Sequence, residues 1–353
     1  MLNNLRARLL SLKFRAIRRA VIILIAKIPK DLERAITFGD ALNHFLMISP
    51  FRPLFKFSIP KNIKVNVHDL TFDSPIISAS FKDDVSSLFQ WQLIGIGGIT
   101  YKTVLKMPSK GNLRPRIQEV SHDGNYAILN SLGLPTKGVV KFLPQINNKK
   151  LTKFNRPIGI SIGGNSFEEY LSVFSDIDHH LNTIDFSKFF YEINISCPNT
   201  DDGKCLSDDL ESLKNLIIKF RDISSRMIVV KVSPDSTNEE VLKVCEILSN
   251  LSKTAINIGN TKYVKASDVG LSSKTFSKEG GGLSGKSLYA NTLRMVKLVA
   301  SNYDLPIIAT GGVSSYDNVR ELLDNGASLT GMATLLVSDP FQIPLINYRL
   351  SND

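Results

Sequence analysis

Cysteine is scarce in this chain of 353 residues, and its three copies, Cys197, Cys205 and Cys245, form no C-x-x-C pair. An odd count without close pairs argues against a disulfide framework and against a cysteine-based zinc or iron–sulfur site. A reducing, cytosolic compartment is expected. No acidic residue precedes Asp31, and no G-x-G-x-x-G dinucleotide loop follows an apolar run. Long hydrophobic runs are missing too. The uncharged stretch Ala20 to Ala26 falls far short of the roughly 20 residues that a membrane-spanning helix needs. The segment VIILIAKIPKD offers no small-residue cleavage site, so a removed secretory leader is not expected.

What is present is enough apolar content, 43%, to bury one large core or two ordinary ones. The net charge of +10 is unevenly placed: residues 1–65 hold thirteen of the 43 Lys/Arg and three of the 33 Asp/Glu, leaving thirty of each elsewhere. A nucleic-acid-binding fold would carry its positive charge on its body. Here the body is neutral, and no nucleic-acid partner is expected.

In the first 30 residues Leu2, Leu5, Leu9, Leu12 and Ala16 recur at helical spacing and form one stripe. Arg6, Arg8, Lys13, Arg15, Arg18, Arg19, Lys27 and Lys30 occupy much of the remainder. That is the composition of a helix lying in an anionic membrane surface, where each nearby basic residue contributes about 1 kcal/mol. A basic helix packed on the protein's own body is the alternative. From Pro29 a second helical pattern runs through PKDLERAITFGDALNHFLMI, with Leu32, Ala35, Ile36, Leu42, Phe45 and Leu46 as its apolar face, and SPFRPLFKFSIPK ends it. The expected organisation is a basic helical extension over residues 1–63 and a body over 64–353. The expected location is the cytoplasmic side of a membrane, peripherally held, with the soluble cytoplasm as the alternative.

The body repeats one pattern: a short apolar or β-branched run, a loop with Gly, Asn or Ser, then an amphipathic stretch. The runs fall at 75–79, 95–103, 157–162, 191–196, 227–232, 254–259, 306–310 and 328–333. Between them, Ser166 to Leu181, Asp208 to Arg221, Asn238 to Asn250, Leu288 to Asn302 and Ser315 to Asn325 read as helices. Apolar strands alternating with helices pair in parallel, and eight such units match a closed (β/α)8 TIM barrel, an α/β fold. An open doubly wound sheet is the alternative that counting leaves standing.

A barrel gathers the C-terminal ends of its strands at one mouth. The polar residues brought there are Lys102, Asn194 to Asn199, Lys231, Asn257, Asn260, Gly311-Gly312 and Ala333-Thr334. Two lysines at strand ends, where the pleat would bury them, need an anionic partner. The long segment Lys106 to Lys150 breaks the rhythm and is expected to fold over the mouth. Gly311-Gly312, followed by a helix near Ser315, allows close backbone approach to a phosphate, and GGGLSG (280–285) adds to it. A phosphorylated cofactor is expected.

At YEINISCPNT, ILNSLGLPTKG (128–138), GGLSGKSL (281–288), IIATGGVSS (307–315) and GASLTGMATLL (326–336) the chain resembles the dihydroorotate dehydrogenase family, FMN-dependent barrel enzymes of pyrimidine synthesis. The resemblance covers roughly residues 64–350. It implies oxidation of dihydroorotate to orotate: a base removes the C5 proton and hydride leaves C6 for N5 of the flavin. Cys197 stands where the family places its base. The thiolate takes the proton, so its surroundings must favour that form. Cys205 and Cys245 read as core packing.

The resemblance assigns Asn130, Asn194, Asn199 and Asn260, with Thr261, to a polar ring around the orotate pyrimidine, and Leu132, Gly133 and Leu134 to the substrate loop. Amides suit such a ring because each offers donors and an acceptor. Lys102 is placed at the substrate carboxylate or flavin edge, and Lys231 near the flavin N1/C2 oxygen, where negative charge develops on reduction. Ala79 and Ser80 match the flavin-contacting turn after the first strand, although the family's usual glycine is absent there. Asn130, Asn194 and Asn257 also face the flavin, and Gly285, Gly311, Gly312, Ala333 and Thr334 hold the ribityl phosphate. Dihydropyrimidine dehydrogenase shares the cysteine but carries His in place of Asn199, and many iron–sulfur cysteines. Neither is found here.

Two branches of the family are mixed in this chain. Cys197 and ITYKT with Lys102 resemble the soluble branch; the helical extension resembles the quinone-tunnel domain of the membrane-bound branch, which uses serine as base. A membrane quinone is the expected electron acceptor. Fumarate, or NAD through a partner subunit carrying FAD and an iron–sulfur cluster, is the alternative. A non-catalytic, membrane-associated, flavin-binding scaffold is the reading from another class.

Overall fold

The computed structural model describes residues 2–26, 31–195 and 209–353. Helix α1 (Leu2–Val21) continues as a π-helical turn, Ile22–Ala26, and is followed by α2 (Leu32–Ile48). Asp31 caps α2, its carboxylate accepting from the Glu33 backbone N–H. A short antiparallel hairpin, β1 (Val65–Val67) and β2 (Leu70–Phe72), precedes β3 (Ile76–Ser78), α3 (Val85–Ile94) and β4 (Ile99–Val104). Then come β5 (Ile117–His122), β6 (Asn125–Asn130), α4 (Val139–Ile146), α5 (Lys149–Thr152), β7 (Ile158–Ile162), α6 (Phe167–Leu181) and β8 (Phe189–Asn194). The described chain resumes at α7 (Leu210–Ile223) and passes through β9 (Ile228–Val232), α8 (Asn238–Ser249), β10 (Thr254–Ile258), β11 (Lys262–Lys265) and β12 (Gly280–Gly285). It ends with α9 (Tyr289–Asn302), β13 (Ile307–Thr310), α10 (Tyr316–Asp324), β14 (Leu329–Met332), α11 (Thr334–Ser338) and α12 (Gln342–Leu350).

Eight strands form one parallel sheet in the order β3-β14-β13-β10-β9-β8-β7-β4. A parallel bridge between Ile77 and Gly98, and a hydrogen bond from the Lys102 N–H to Lys82 O at 3.0 Å, bring its two edges together. The sheet is therefore a barrel, and the open doubly wound alternative is excluded. The second strand is shorter than the sequence suggests: Gly95 is not in it, because its φ of 102° makes it the left-handed cap that ends α3.

Side-chain alternation sorts the barrel into layers. Ile77, Phe190, Val229, Ala255, Ile308 and Leu329 fill the interior at the N-terminal end, where Val67, Leu70 and Phe72 of the hairpin plug it. Two residues further along the same strands the interior turns polar, with Glu192, Lys231, Asn257 and Thr310 all buried. A pure hydrocarbon core would have continued the apolar layer; charged groups are kept inside only when paired.

Two insertions leave from strand ends at the mouth. Residues after β4 supply β5 and β6, those after β10 supply β11 and β12, and together they make a four-stranded sheet ordered β11-β12-β6-β5. Gly282 lies opposite Asn130 in that sheet. Helix α1 packs on the body through Ala7, Leu10 and Phe14, whose ring meets Phe341 edge-on at 5.9 Å, and Ser11 donates to Asp339 at 2.6 Å. Leu5, Leu9, Leu12 and Ile17 remain exposed. One face of this helix docks on the body, and most of the predicted stripe does not. Among the described residues no helix is long and apolar enough to cross a membrane.

Candidate active site

Three consecutive strands bring Asn194, Lys231 and Asn257 to one level, since Asn194 pairs with Lys231 and Lys231 with Asn257 in register. Glu192, one pleat below on β8, reaches up to them. Its carboxylate accepts from Asn257 Nδ2 at 2.7 Å and from Ser80 Oγ, and lies 3.8 Å from Lys231 Nζ. Lys231 in turn donates to Ser80 Oγ at 3.2 Å. With both side chains at most 6% exposed, the charges attract by about 4 kcal/mol at an effective dielectric near 20, which offsets part of a desolvation cost of several kcal/mol per ion, the hydrogen bonds supplying more. The anionic partner that the sequence demanded for Lys231 is therefore Glu192, a residue the motif reading passed over. A lone acid inside the run FFYEIN was the signal for it.

A second chain of polar groups crosses the mouth. Asn194 Nδ2 donates to Thr103 Oγ1 at 3.1 Å, and Thr103 meets Ser161 at 3.1 Å. Asn260 Nδ2 approaches Asn194 Oδ1 at 3.5 Å, and Asn260 Oδ1 accepts from the Thr261 N–H at 2.9 Å. A Cβ on Gly282 would stand 2.0 Å from Thr261 Oγ1, and Asn130 Nδ2 donates to Gly282 O at 3.0 Å. Asn130, Asn194, Asn260 and Thr261, far apart in sequence, thus form one connected row. Asn199 and Cys197 lie outside the described residues, as does Cys205. Cys245 is buried on α8, and burial pushes its thiol up to about 12, in keeping with core packing.

The loop predicted to meet the substrate is held by a guanidinium. Arg116 donates through Nη1 to the carbonyls of Lys110, Asn112 and Leu132 at 2.6, 2.8 and 3.4 Å, and makes a bidentate pair with Glu33 of α2 at 2.9 and 3.1 Å. Gly133 and Leu134 both take left-handed backbone, with φ of 66° and 47°. For leucine that conformation is strained. Lys102 is half-buried. Burial lowers its pKa from the ordinary lysine value, Asp83 acts in the opposite sense, and Arg116 and Lys82 add to the lowering.

The α2 helix stands against the same side of the mouth. Lys82, which follows Ser80 and Phe81, is ion-paired with Asp40 of α2; Asn43 and His44 of α2 meet Ser87 and Ser86 of α3 at 3.4 and 2.9 Å. Phe38, Leu42, Phe45 and Ile48 of α2 are exposed, as are Phe51 and Leu54 just beyond it.

The predicted phosphate residues also converge. Gly311 and Gly312 have φ of 133° and 73°; a Cβ on Gly312 would stand 2.4 Å from the Tyr289 N of α9, and one on Gly311 2.5 Å from Thr292 Oγ1. Gly285 leads through the turn Lys286–Leu288 into that helix. Ala79 N–H donates to Met332 O at 2.9 Å, which puts the end of β3 beside Ala333 and Thr334, where α11 begins without a side-chain cap. Buried Asn257 Oδ1 and Thr310 Oγ1 have no hydrogen-bond partner among the described residues. Unsatisfied acceptors and a glycine cradle with no room for a Cβ fit a flat polar group bearing a phosphate, so the residues present suit FMN.

A (β/α)8 barrel whose mouth combines a glycine cradle, a buried lysine and a row of asparagines fits the class of flavin-dependent barrel oxidoreductases. A family model for dihydroorotate dehydrogenase matches residues 62–352. The chain belongs to the dihydroorotate dehydrogenase family. Among similar proteins, the catalytic subunit of dihydroorotate dehydrogenase B (NAD(+)) from Malacoplasma penetrans is 28% identical over 284 residues, 79% of this chain and 88% of that one. The same subunit from Fusobacterium nucleatum is 29% identical over 289 residues, 81% of this chain and 91% of that one. The crystal structure of DHODH from Eimeria tenella in complex with ferulenol shares the fold, with a TM-score of 0.72 at 20% identity and 89% of each chain covered.

Proposed function

We propose that this protein oxidises dihydroorotate to orotate with FMN and passes the electrons to a membrane quinone. The observation that carries the oxidation is the polar row of Asn130, Thr261, Asn260 and Asn194, whose last member lies level with the buried Lys231. FMN, when bound, accepts a hydride at N5. The asparagine amides offer donors and acceptors to the imide-like edge of the substrate, and Lys102 meets its carboxylate. Cys197 takes the C5 proton as thiolate. Lys231 would stabilise the negative charge that the flavin gains on reduction, Asn257 and Asn194 would hold its ring, and Gly285, Gly311, Gly312, Ala333 and Thr334 would hold its phosphate.

The quinone reading is supported by the exposed apolar residues of α1 and α2 and by the contact of α2 with the loop that carries Ser80 and Lys82. In this reading residues 1–63 are a unit that lies on the cytoplasmic surface of a membrane. A second reading, NAD reached through a partner subunit, is favoured by the relatives whose names carry that acceptor. Purified protein should show an FMN spectrum that dihydroorotate bleaches without oxygen; a flavin that dihydroorotate does not reduce would instead point to the scaffold reading. Turnover compared side by side with a short-chain quinone, fumarate and NAD decides the acceptor, and turnover with fumarate alone would remove the quinone.

A further inference from the structure

A lysine at the edge of a flavin where charge develops acts as a fixed cation, but Lys231 does not stand alone. Glu192, whose side chain is 3% exposed, lies 3.8 Å from it. Asn257 Nδ2 and Ser80 Oγ both donate to this carboxylate, and Ser80 Oγ also accepts from Lys231. The four residues come from β8, β9, β10 and the loop after β3, so four strand ends build one charge-neutral cluster. Ser80 lies in the turn after β3, and its hydroxyl joins the two charges. Burying a carboxylate is costly, and here donors reach it from two sides beside a buried lysine.

We infer that Glu192 is a positioning residue that acts through Lys231 to set the reduction potential of the bound flavin. The inference rests on the reading that this mouth holds FMN. With the carboxylate in place, the field of Lys231 at the flavin is largely cancelled, and reduced flavin gains little from it. Remove the negative charge and the lysine becomes an uncompensated cation in a buried site, which stabilises the reduced, anionic flavin.

The test uses the full chain with FMN bound and reads the flavin's potential against a reference dye. Glu192→Gln keeps the side-chain shape. It is expected to shift the equilibrium at least tenfold toward reduced flavin, about 30 mV for a two-electron couple. Should that variant fail to fold, Lys231→Met and the double variant Glu192→Gln/Lys231→Met carry the same information. The single lysine variant is expected to lie tenfold or more below the double variant, because only the single one leaves a lone carboxylate near the flavin. Equal potentials in those two, or a Glu192→Gln protein with FMN bound at the parent potential, would overturn the inference while leaving the FMN reading intact. A parent protein that takes up no FMN overturns both.

Discussion

Gly312→Ala isolates what the glycine cradle does. Its φ of 73° lies in the left-handed region, which costs a side-chain-bearing residue about 1–2 kcal/mol. The new Cβ would also stand 2.4 Å from the Tyr289 N and 2.8 Å from its Cα, a clash with backbone that only a shift of the first turn of α9 relieves. Gly270 has the same φ of 73° with nothing within 4 Å of a built Cβ, so Gly270→Ala meets the backbone cost alone. The difference between the two variants is the effect of moving the cradle. Chemical denaturation of flavin-free protein should show about 1–2 kcal/mol lost in Gly270→Ala and more in Gly312→Ala. FMN titration by fluorescence should show unchanged affinity in the first. In the second, affinity should weaken by about tenfold to a hundredfold, tenfold corresponding to about 1.4 kcal/mol. Gly312→Ala protein that binds FMN as tightly as the parent would refute the placement of the phosphate at this turn.

Further outcomes follow from the same geometry. Lys102, with its pKa lowered by burial, loses its proton at a lower pH than an ordinary lysine; orotate affinity should fall as pH rises through that region below 10.5, and Lys102→Met should bind weakly and without this pH dependence. Arg116→Ala breaks a largely buried bidentate pair with Glu33 and strips three loop carbonyls of their donor; a stability loss of about 3 kcal/mol and a raised KM for dihydroorotate are expected, and an unchanged KM would deny Arg116 its part in holding the loop. Cys197→Ala should slow flavin reduction by orders of magnitude with FMN still bound, whereas a cysteine that only packs would leave the rate unaltered. Leu9→Asp/Leu12→Asp alters two exposed positions and should leave the melting temperature in place while lowering co-sedimentation with anionic liposomes; equal co-sedimentation would remove the membrane reading of α1.

All eight barrel strands lie where the alternation of apolar runs and loops puts them, most to within a residue or two. The reason is local: β7, β9 and β10 are buried on both faces, so their sequences are dominated by apolar residues and bounded by turn residues. Helices are bounded as clearly, since Ser166, Thr237 and Ser315 cap them with their own side chains. The lysines and asparagines of the mouth were legible for the same reason, being polar residues at the ends of such runs.

Partnership was not legible. Glu192 and Lys231 are 39 residues apart in number, and their meeting depends on β8 and β9 being neighbours with a particular register. Only that register sets Asn194 beside Lys231 and lets the carboxylate reach both Ser80 and Asn257. The joint sheet of β5, β6, β11 and β12 was hidden for the same cause, because two insertions separated by more than a hundred residues complete one another across the mouth. Composition and periodicity determined the barrel, the helical extension and the kinds of groups at the strand ends. Which of those groups neutralise each other, and which remain for a ligand, was decided by closure of the barrel, since hydrogen-bond register converts positions along separate strands into distances of 2.7 to 3.8 Å.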